Sequence, residues 1–508
     1  MMPSPCCSEQ GTRLRLGTIL LCALLCISSA LSKPQTSTQL NPVLVAGAGP
    51  ASLLFTLRLL QLNPSIKVQI HESRSRPPRY SDYNGAEIAG DNAFGFGLST
   101  RAQSFFQKIP GVFEAVERVG EPHTMAGSTG WMVNRRDLCA ELIYKLEQDY
   151  GIQGEGRLEL CFDSSVQGVG VSPSQTDDDG ESYCYATVVD KTTTSTEMLA
   201  TRHLPYSLMV AADGVYSAIR SQLIERRCLK GKRYLSQSTW KALQLPLQPN
   251  MSSSMTIRYD TGKDLGVLLP RYKNRFVLLN FRKRKDSHQN PFDAETPNDL
   301  KQALQQQFPD VTAFPSDDVL QSFLDSSPGE TGYMQLNRHC VPEFKVALIG
   351  DAAVGMYSIL GQGCASALQN ANLLAEQVAP ILSMETADVE SPSVLQLRLE
   401  QALYSVSNTT VAQGQAIADL NLITHAMQKP IVKLFVLPAA RKVFKNLNRP
   451  EVSYTDMIQP MSTKLAVGIS KFFWRLERIR VPMIIEKHPP SVKSERMAVA
   501  TKTAPQDE

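Results

Sequence analysis

One stretch, Val43 to Arg74 (VLVAGAGPASLLFTLRLLQLNPSIKVQIHESR), constrains the fold of this chain more than any other. Val43 to Ala46 is wholly apolar, the pattern of a strand buried on both faces of a parallel sheet. Gly47-Ala48-Gly49 follows without a gap. Apolar periodicity from Leu53 to Leu62 predicts a helix, which Asn63-Pro64 ends. A second strand is predicted from Lys67 to His71, and it stops on an acid, Glu72.

This order of elements suits a dinucleotide. Glycines at Gly47 and Gly49 let the backbone turn tightly and approach a pyrophosphate, while the helix N-terminus offers N–H groups and partial positive charge. Glu72, 25 residues after Gly47, stands where a carboxylate accepts hydrogen bonds from an adenosine ribose, and Arg74 belongs to the same group. The third glycine of the usual fingerprint is replaced by Ser52, nearly as small. A glycine turn in an ordinary βαβ unit is the alternative reading.

The 508 residues allow two or three structural units, and 43% hydrophobic with 20% charged residues describes a globular protein. A net charge of +3 is too small to argue for nucleic acid. The ten cysteines form no CxxC and no Cys/His cluster with zinc spacing, so no metal site is expected.

Residues 1–32 read as a signal or targeting segment. Arg13 and Arg15 precede an apolar run, Gly17 to Leu31, and Ser28 and Ala30 give a small-x-small cleavage pattern. A secretory or endomembrane destination follows from it; an uncleaved anchor, or half of a signal to a plastid or mitochondrial membrane, is the alternative. Residues 33–42 form a polar linker. The predicted architecture is then α/β: a Rossmann-like domain in two parts, 43–238 and 336–380, an inserted mainly antiparallel β domain at 239–335, C-terminal helices within 394–485, and a disordered tail at 486–508. In the insert the strands read as Trp240–Leu247, Met255–Tyr259, Leu265–Leu269 and Phe276–Phe281, and a polar hairpin is expected from Gln175 to Glu181.

Two more strands end on acids. Leu208 to Ala212 runs into Asp213-Gly214-Val-Tyr-Ser217-Ala-Ile-Arg220, and Val346 to Ile349 into Gly350-Asp351-Ala-Ala. Gly361-Gln362-Gly363 follows, opening a helix rich in small residues. Acids or glycines at three strand ends fit one extended cofactor threaded across a sheet. The set resembles the single-component FAD-dependent aromatic hydroxylases over roughly residues 43–380. Leu98-Ser-Thr-Arg101, Asn134-Arg-Arg136-Asp-Leu138 and Ala416-Ile-Ala-Asp-Leu420 are similar to the kynurenine 3-monooxygenase branch of that family.

The resemblance implies an FAD monooxygenase that takes electrons from NAD(P)H, forms a flavin C4a-hydroperoxide with O₂ and hydroxylates a small aromatic substrate. It implies that Arg136 reaches the FAD phosphates, that Asp213, Gly214 and Arg220 lie at the cofactor linker and Asp351 at the ribityl chain, and that Gly361, Gln362 and Gly363 face the isoalloxazine. Tyr454 matches a substrate contact, and Thr424 stands where that branch has Asn. The chain also departs from the pattern: Val354, Ser358 and Ala365 replace a usual His, Pro and Asn, and no Arg occurs from Met125 to Trp131. A flavin reductase or dehydrogenase of a lipid-like substrate, and a flavin-binding membrane-associated protein without catalysis, are the competing readings. Basic, apolar stretches at Lys429–Lys445 and Lys464–Arg480 suit either a membrane surface or a helical cover for the FAD domain.

Overall fold

The computed structural model describes residues 40–83, 95–125, 128–172, 183–191, 201–248, 257–260, 264–273, 275–283, 291–356, 360–383, 391–427, 430–480 and 484–486. The targeting segment, the hairpin Gln175–Glu181, Ser358 and the tail beyond Glu486 lie outside them.

The chain opens as its sequence predicts. Strand β1 (Val43–Ala46) is buried throughout, helix α1 (Pro50–Leu62) follows the glycine turn, and β2 (Val68–His71) returns parallel to β1. Pro50 occupies the first helical position, where its fixed φ fits and its missing N–H is not needed. Leu53, Leu57 and Leu60 are buried, each contributing about 1.5–3 kcal/mol of hydrophobic stabilisation.

A small sheet comes next, with β3 (Gly95–Leu98) and β4 (Glu121–Met125) on either side of β5 (Ser128–Asn134). Helices α2 (Thr100–Phe106) and α3 (Val112–Val119) break at Pro110-Gly111, where Gly111 takes φ +75°. Asn134 caps α4 (Arg135–Tyr150) by accepting from Arg136 N at 2.9 Å. Strand β6 (Leu158–Cys161) joins β2 in parallel. An antiparallel trio follows: β7 (Ser164–Ser172), β8 (Tyr183–Asp190) and β9 (Thr201–Pro205). Then β10 (Leu208–Ala211) pairs with the other edge of β1, and α5 (Ala218–Glu225) leaves it.

The insert is an antiparallel sheet of β11 (Gly231–Pro246), β12 (Ile257–Asp260), β13 (Asp264–Tyr272), β14 (Arg275–Lys283) and β15 (Gly329–Leu336), in the order β12-β13-β14-β11-β15. It starts earlier than position 239, because β11 is one continuous strand that pairs with β15 in its first part and β14 in its second. Where strands alone are expected through 239–335, the insert also carries two helices, α6 (Pro297–Gln307) and α7 (Asp317–Asp325). The signals were present: Thr296 accepts from Asp299 N, Pro297 sits at N1, and Leu300, Leu304 and Phe308 repeat every fourth residue. These apolar groups pack with Leu320 and Phe323 against Leu243, Leu245 and Leu278.

Strands β16 (Cys340–Val341) and β17 (Val346–Leu348) complete a six-stranded sheet, β16-β17-β10-β1-β2-β6. Strands β17, β10, β1, β2 and β6 run parallel. Chain order reverses between β1 and β10, which makes that pair the topological switch point, where open α/β sheets place their ligands. Helix α8 (Gly363–Val378) packs on α1. Helices α9 (Pro392–Ala426), α10 (Pro430–Leu447), α11 (Tyr454–Ile458) and α12 (Met461–Arg480) share a separate apolar cluster around Ile417, Leu420, Val436 and Val467. After them β18 (Ile484–Glu486) pairs with β11, so the chain returns to the antiparallel sheet. The fold is α/β: a Rossmann-like parallel sheet, an antiparallel insert and C-terminal helices. Among the described residues no helix is long and apolar enough to cross a membrane.

Candidate functional site

The crevice is built from strand ends. Gly47 leaves β1 with φ +91°, and a Cβ there would stand 2.6 Å from Ala212 O. Only glycine lets the turn after β1 lie this close to the end of β10. Gly49 is the N-cap of α1 and carries no capping side chain, so the first-turn N–H groups are left for a ligand. Ser52 is fully buried and its Oγ donates to Gly49 O at 2.8 Å, tightening the turn from within.

Glu72 fastens the same turn. Its Oε2 accepts from Ala48 N at 2.8 Å, and its Oε1 from Arg74 N and Nε at 3.0 Å each. Burial opposes the charge, but the Arg74 guanidinium and the Ala48 N–H outweigh it and hold the carboxyl below its ordinary value. The arginine beside the glycine turn is Arg135: a Cβ on Gly49 would lie 3.7 Å from its Nη2. Arg136, the residue expected there, is directed elsewhere. Its guanidinium lies over the Tyr83 ring at 4.6 Å and pairs with Asp137 at 3.2 Å. Asp137 is buried and also accepts from the hydroxyls of Tyr83 and, at 2.8 Å, Tyr272. With Asn134 as the cap, successive residues of the first turn point about 100° apart, which sends the two arginines in different directions.

Asp213 follows β10. Its Oδ2 accepts from Ala218 N at 2.8 Å, capping α5 together with Ser217, whose Oγ accepts from Arg220 N at 3.0 Å. Its Oδ1 is buried without a hydrogen-bond partner among the described residues. Desolvation raises the Asp213 pKa, against Ser217 and Arg220. Gly214 takes φ +83° with open space where a Cβ would stand. Arg220 is fully buried, and its guanidinium is taken up by backbone: Nη1 donates to Ala352 O at 2.9 Å, and Nη2 to Val215 O. It therefore ties the turn after β10 to the turn after β17. Burial pushes its pKa down to about 10, with Asp213 pulling the other way.

Asp351 lies in the turn Gly350–Ala352 after β17. Gly350 packs close to α1, with 3.3 Å from its Cβ position to Ala51 Cβ. The Asp351 side chain is open to solvent, yet protein crowds it closely enough for desolvation to raise its pKa against the pull of Arg135 and Arg220. Both observations describe a carboxyl lining a narrow cleft. Gly361 has φ +62° and nothing within 4 Å of its Cβ position; Gln362 is the N-cap of α8 and Gly363 its first residue. Beside them burial pushes the Cys364 thiol up to about 12, with Asp351 adding to the rise.

Gly47, Gly49, Glu72, Asp213 and Asp351 thus gather along the C-terminal ends of the parallel strands β1, β2, β10 and β17. Tyr454 touches the loop that opens α8: it is fully buried and its hydroxyl donates to Gln362 Oε1 at 2.8 Å. Thr424 lies on α9, and its hydroxyl donates to Leu420 O at 3.4 Å in its own helix. Among the described residues no group of three His, Cys, Asp or Glu could hold a metal.

No protein-family model matches the chain, and no curated protein matches it. Solved structures do. The tetrameric form of 2-methyl-3-hydroxypyridine-5-carboxylic acid oxygenase is 17% identical with TM-score 0.47, over 84% of this chain and 96% of that one. PqsL of Pseudomonas aeruginosa, solved with 2-aminobenzoylacetate, is 18% identical with TM-score 0.48, over 74% and 95%. The tetracycline destructase Tet(51) is 15% identical with TM-score 0.48, over 83% and 99%.

Proposed function

We propose that the crevice holds FAD and that the chain is an FAD-dependent monooxygenase, using NAD(P)H and O₂ to hydroxylate a small aromatic substrate. The observation that carries the cofactor reading is convergence. The glycine turn after β1 and Asp213 after β10 flank the switch point, Asp351 stands next to them, and the N-termini of α1 and α8 have no side-chain cap. The residues present fit the group. Asp213 Oδ1 is a buried acceptor that a cofactor hydroxyl would satisfy, and Gly361 leaves empty the space a side chain would fill.

In this reading Gly47 and Gly49 admit the pyrophosphate, Arg135 offsets its charge, Glu72 accepts from the ribose and Asp351 from the ribityl hydroxyls. Backbone N–H groups of Gly361 to Gly363 face the ring. Bound flavin supplies the two-electron chemistry and the activation of O₂. The protein orients the substrate ring and keeps water from the reacting atoms. The monooxygenase and aromatic parts rest on the three motifs and their spacing. No arginine stands between Met125 and Trp131, so the substrate is better matched to a site without a bidentate carboxylate partner there.

Purified protein should be yellow, with a flavin absorbance band. It should oxidise NAD(P)H faster with an accepted aromatic compound and yield a product heavier by one oxygen. Bound flavin with no NAD(P)H oxidation across a panel of aromatic acids and phenols would leave the reaction refuted and the cofactor standing. Product formation without oxygen would instead favour a reductase or dehydrogenase.

A further inference from the structure

Two C-terminal helices carry apolar side chains on the wrong side. In α10, Val432, Val436, Ala439, Ala440 and Val443 are buried in the helical cluster. The opposite face starts with Ile431 (74% exposed), Leu434 (74%) and Phe435 (66%). It continues with exposed Arg441, Lys442 and Lys445. In α12, Ala466, Val467 and Ser470 are buried, while Met461 (81%), Leu465 and Phe472 are exposed at helical spacing, with exposed Lys464 and Arg475 beside them. The two helices pack against each other, and both turn their buried faces into one cluster. The exposed stripes therefore form the outer side of one layer. Leaving this much large apolar surface in water is costly, and a contiguous patch of it marks a docking surface.

We propose that this face docks on an anionic lipid surface, lying in the interface without spanning it. Charge selects the occupant. Residues 430–447 contain four Lys or Arg and no Asp or Glu, and residues 461–480 contain five against one Glu. Of these, Lys471 is paired with Asp419 at 2.8 Å, and the two helices still keep a clear excess of positive charge. A second copy of the same face would bring cations against cations, whereas an anionic headgroup layer neutralises them. Long basic side chains reach the headgroups while Phe435, Leu434 and Leu465 enter the acyl boundary. No described helix is long and apolar enough to cross a membrane, so attachment here is peripheral.

The test is flotation of the full chain with phosphatidylcholine vesicles, with and without phosphatidylserine. The expected result is recovery with the anionic vesicles alone, falling as salt rises and the headgroup charge is screened. A Leu434→Ser/Phe435→Ser/Leu465→Ser variant should bind at least about tenfold more weakly, since three inserted side chains are lost. Circular dichroism and the thermal midpoint should show that this variant still folds. Three outcomes overturn the proposal. The first is wild type unbound to both vesicles. The second is a folded variant that floats as well as wild type, which would assign binding to another part such as residues 1–39. The third is self-association of wild type but not of the variant in solution, which would make the face an interface between copies.

Discussion

The hydroxyl of Tyr454 donates to Gln362 Oε1 at 2.8 Å, joining the C-terminal helices to the loop that opens α8. The Tyr454 ring is held from the other side by the Arg101 guanidinium, 4.4 Å from its centroid. Arg101 is almost fully buried and donates to the carbonyls of Leu447, Arg449 and Val452, where the end of α10 offers partial negative charge. Arg101, Tyr454 and Gln362 thus form one line of contacts from the last helices to the Gly361–Gly363 turn.

Tyr454→Phe leaves Gln362 Oε1 buried without this donor, which costs about 1–3 kcal/mol. The urea midpoint should fall at unchanged slope. In a double-mutant cycle with Gln362→Ala, most of the Tyr454 effect should disappear once Gln362 is gone. Additive effects would show that the contact does not hold the loop.

The two neighbouring arginines should separate cleanly. Arg135→Ala is expected to weaken FAD binding roughly tenfold or more, by losing one charge-assisted contact, with little change in stability. Arg136→Ala strips a cation from buried Asp137 and should lower stability by about 1–3 kcal/mol. FAD titration and thermal melts of both apo-proteins decide it, and the reverse pattern would restore Arg136 as the phosphate residue.

Asp351→Asn tests the ribityl assignment. Desolvation makes the ionised carboxylate unfavourable in the cofactor-free protein, so the variant should be at least as stable as wild type. FAD affinity should nevertheless drop about 10- to 150-fold, the equivalent of roughly 1.5–3 kcal/mol for a charge-assisted acceptor. Equal dissociation constants would remove Asp351 from the cofactor site.

Falling pH should destabilise the fold through His339. Its Nδ1 pairs with Thr410 Oγ1 at 2.8 Å, and burial pushes its pKa down to about 4 from 6.5. The unfolded chain therefore takes up the proton first. Stability that is complete above about pH 6.5 is lost progressively toward pH 4, by roughly 3 kcal/mol. His339→Asn should flatten the fall of the thermal midpoint with acidity. The fall should not vanish, because burial lowers His71 to about 4 as well.

Much of the fold was legible because local signals were redundant. Val43–Ala46, Pro50, Asn63 and Glu72 each mark a different feature of one βαβ unit, and Asn134 marks the start of α4 whatever follows it. The helices at 297–325 were missed because their four-residue spacing sits inside a region of alternating strands, where period two dominates the eye. The choice between Arg135 and Arg136 was not legible at all. It depends on Tyr83 and Tyr272 converging on Asp137, and the sequence does not reveal contacts between residues so far apart. The contact of Tyr454 with Arg101, more than three hundred positions earlier, is of the same kind.

The switch point also dictates when the protein can be finished during synthesis. Val43 pairs with Val68 on one side and Leu208 on the other, and Met209 pairs with Val346, so β1 gains β2 early but waits for β10, which in turn waits for β17. Contacts this distant in sequence close slowly and leave apolar strands unpaired meanwhile. The ribosome must deliver Asp351 before all three strand ends exist together. A cofactor can therefore be captured only late, and the early chain, with the β10-facing edge of VLVA still unpaired, is the stage at which a chaperone would matter most.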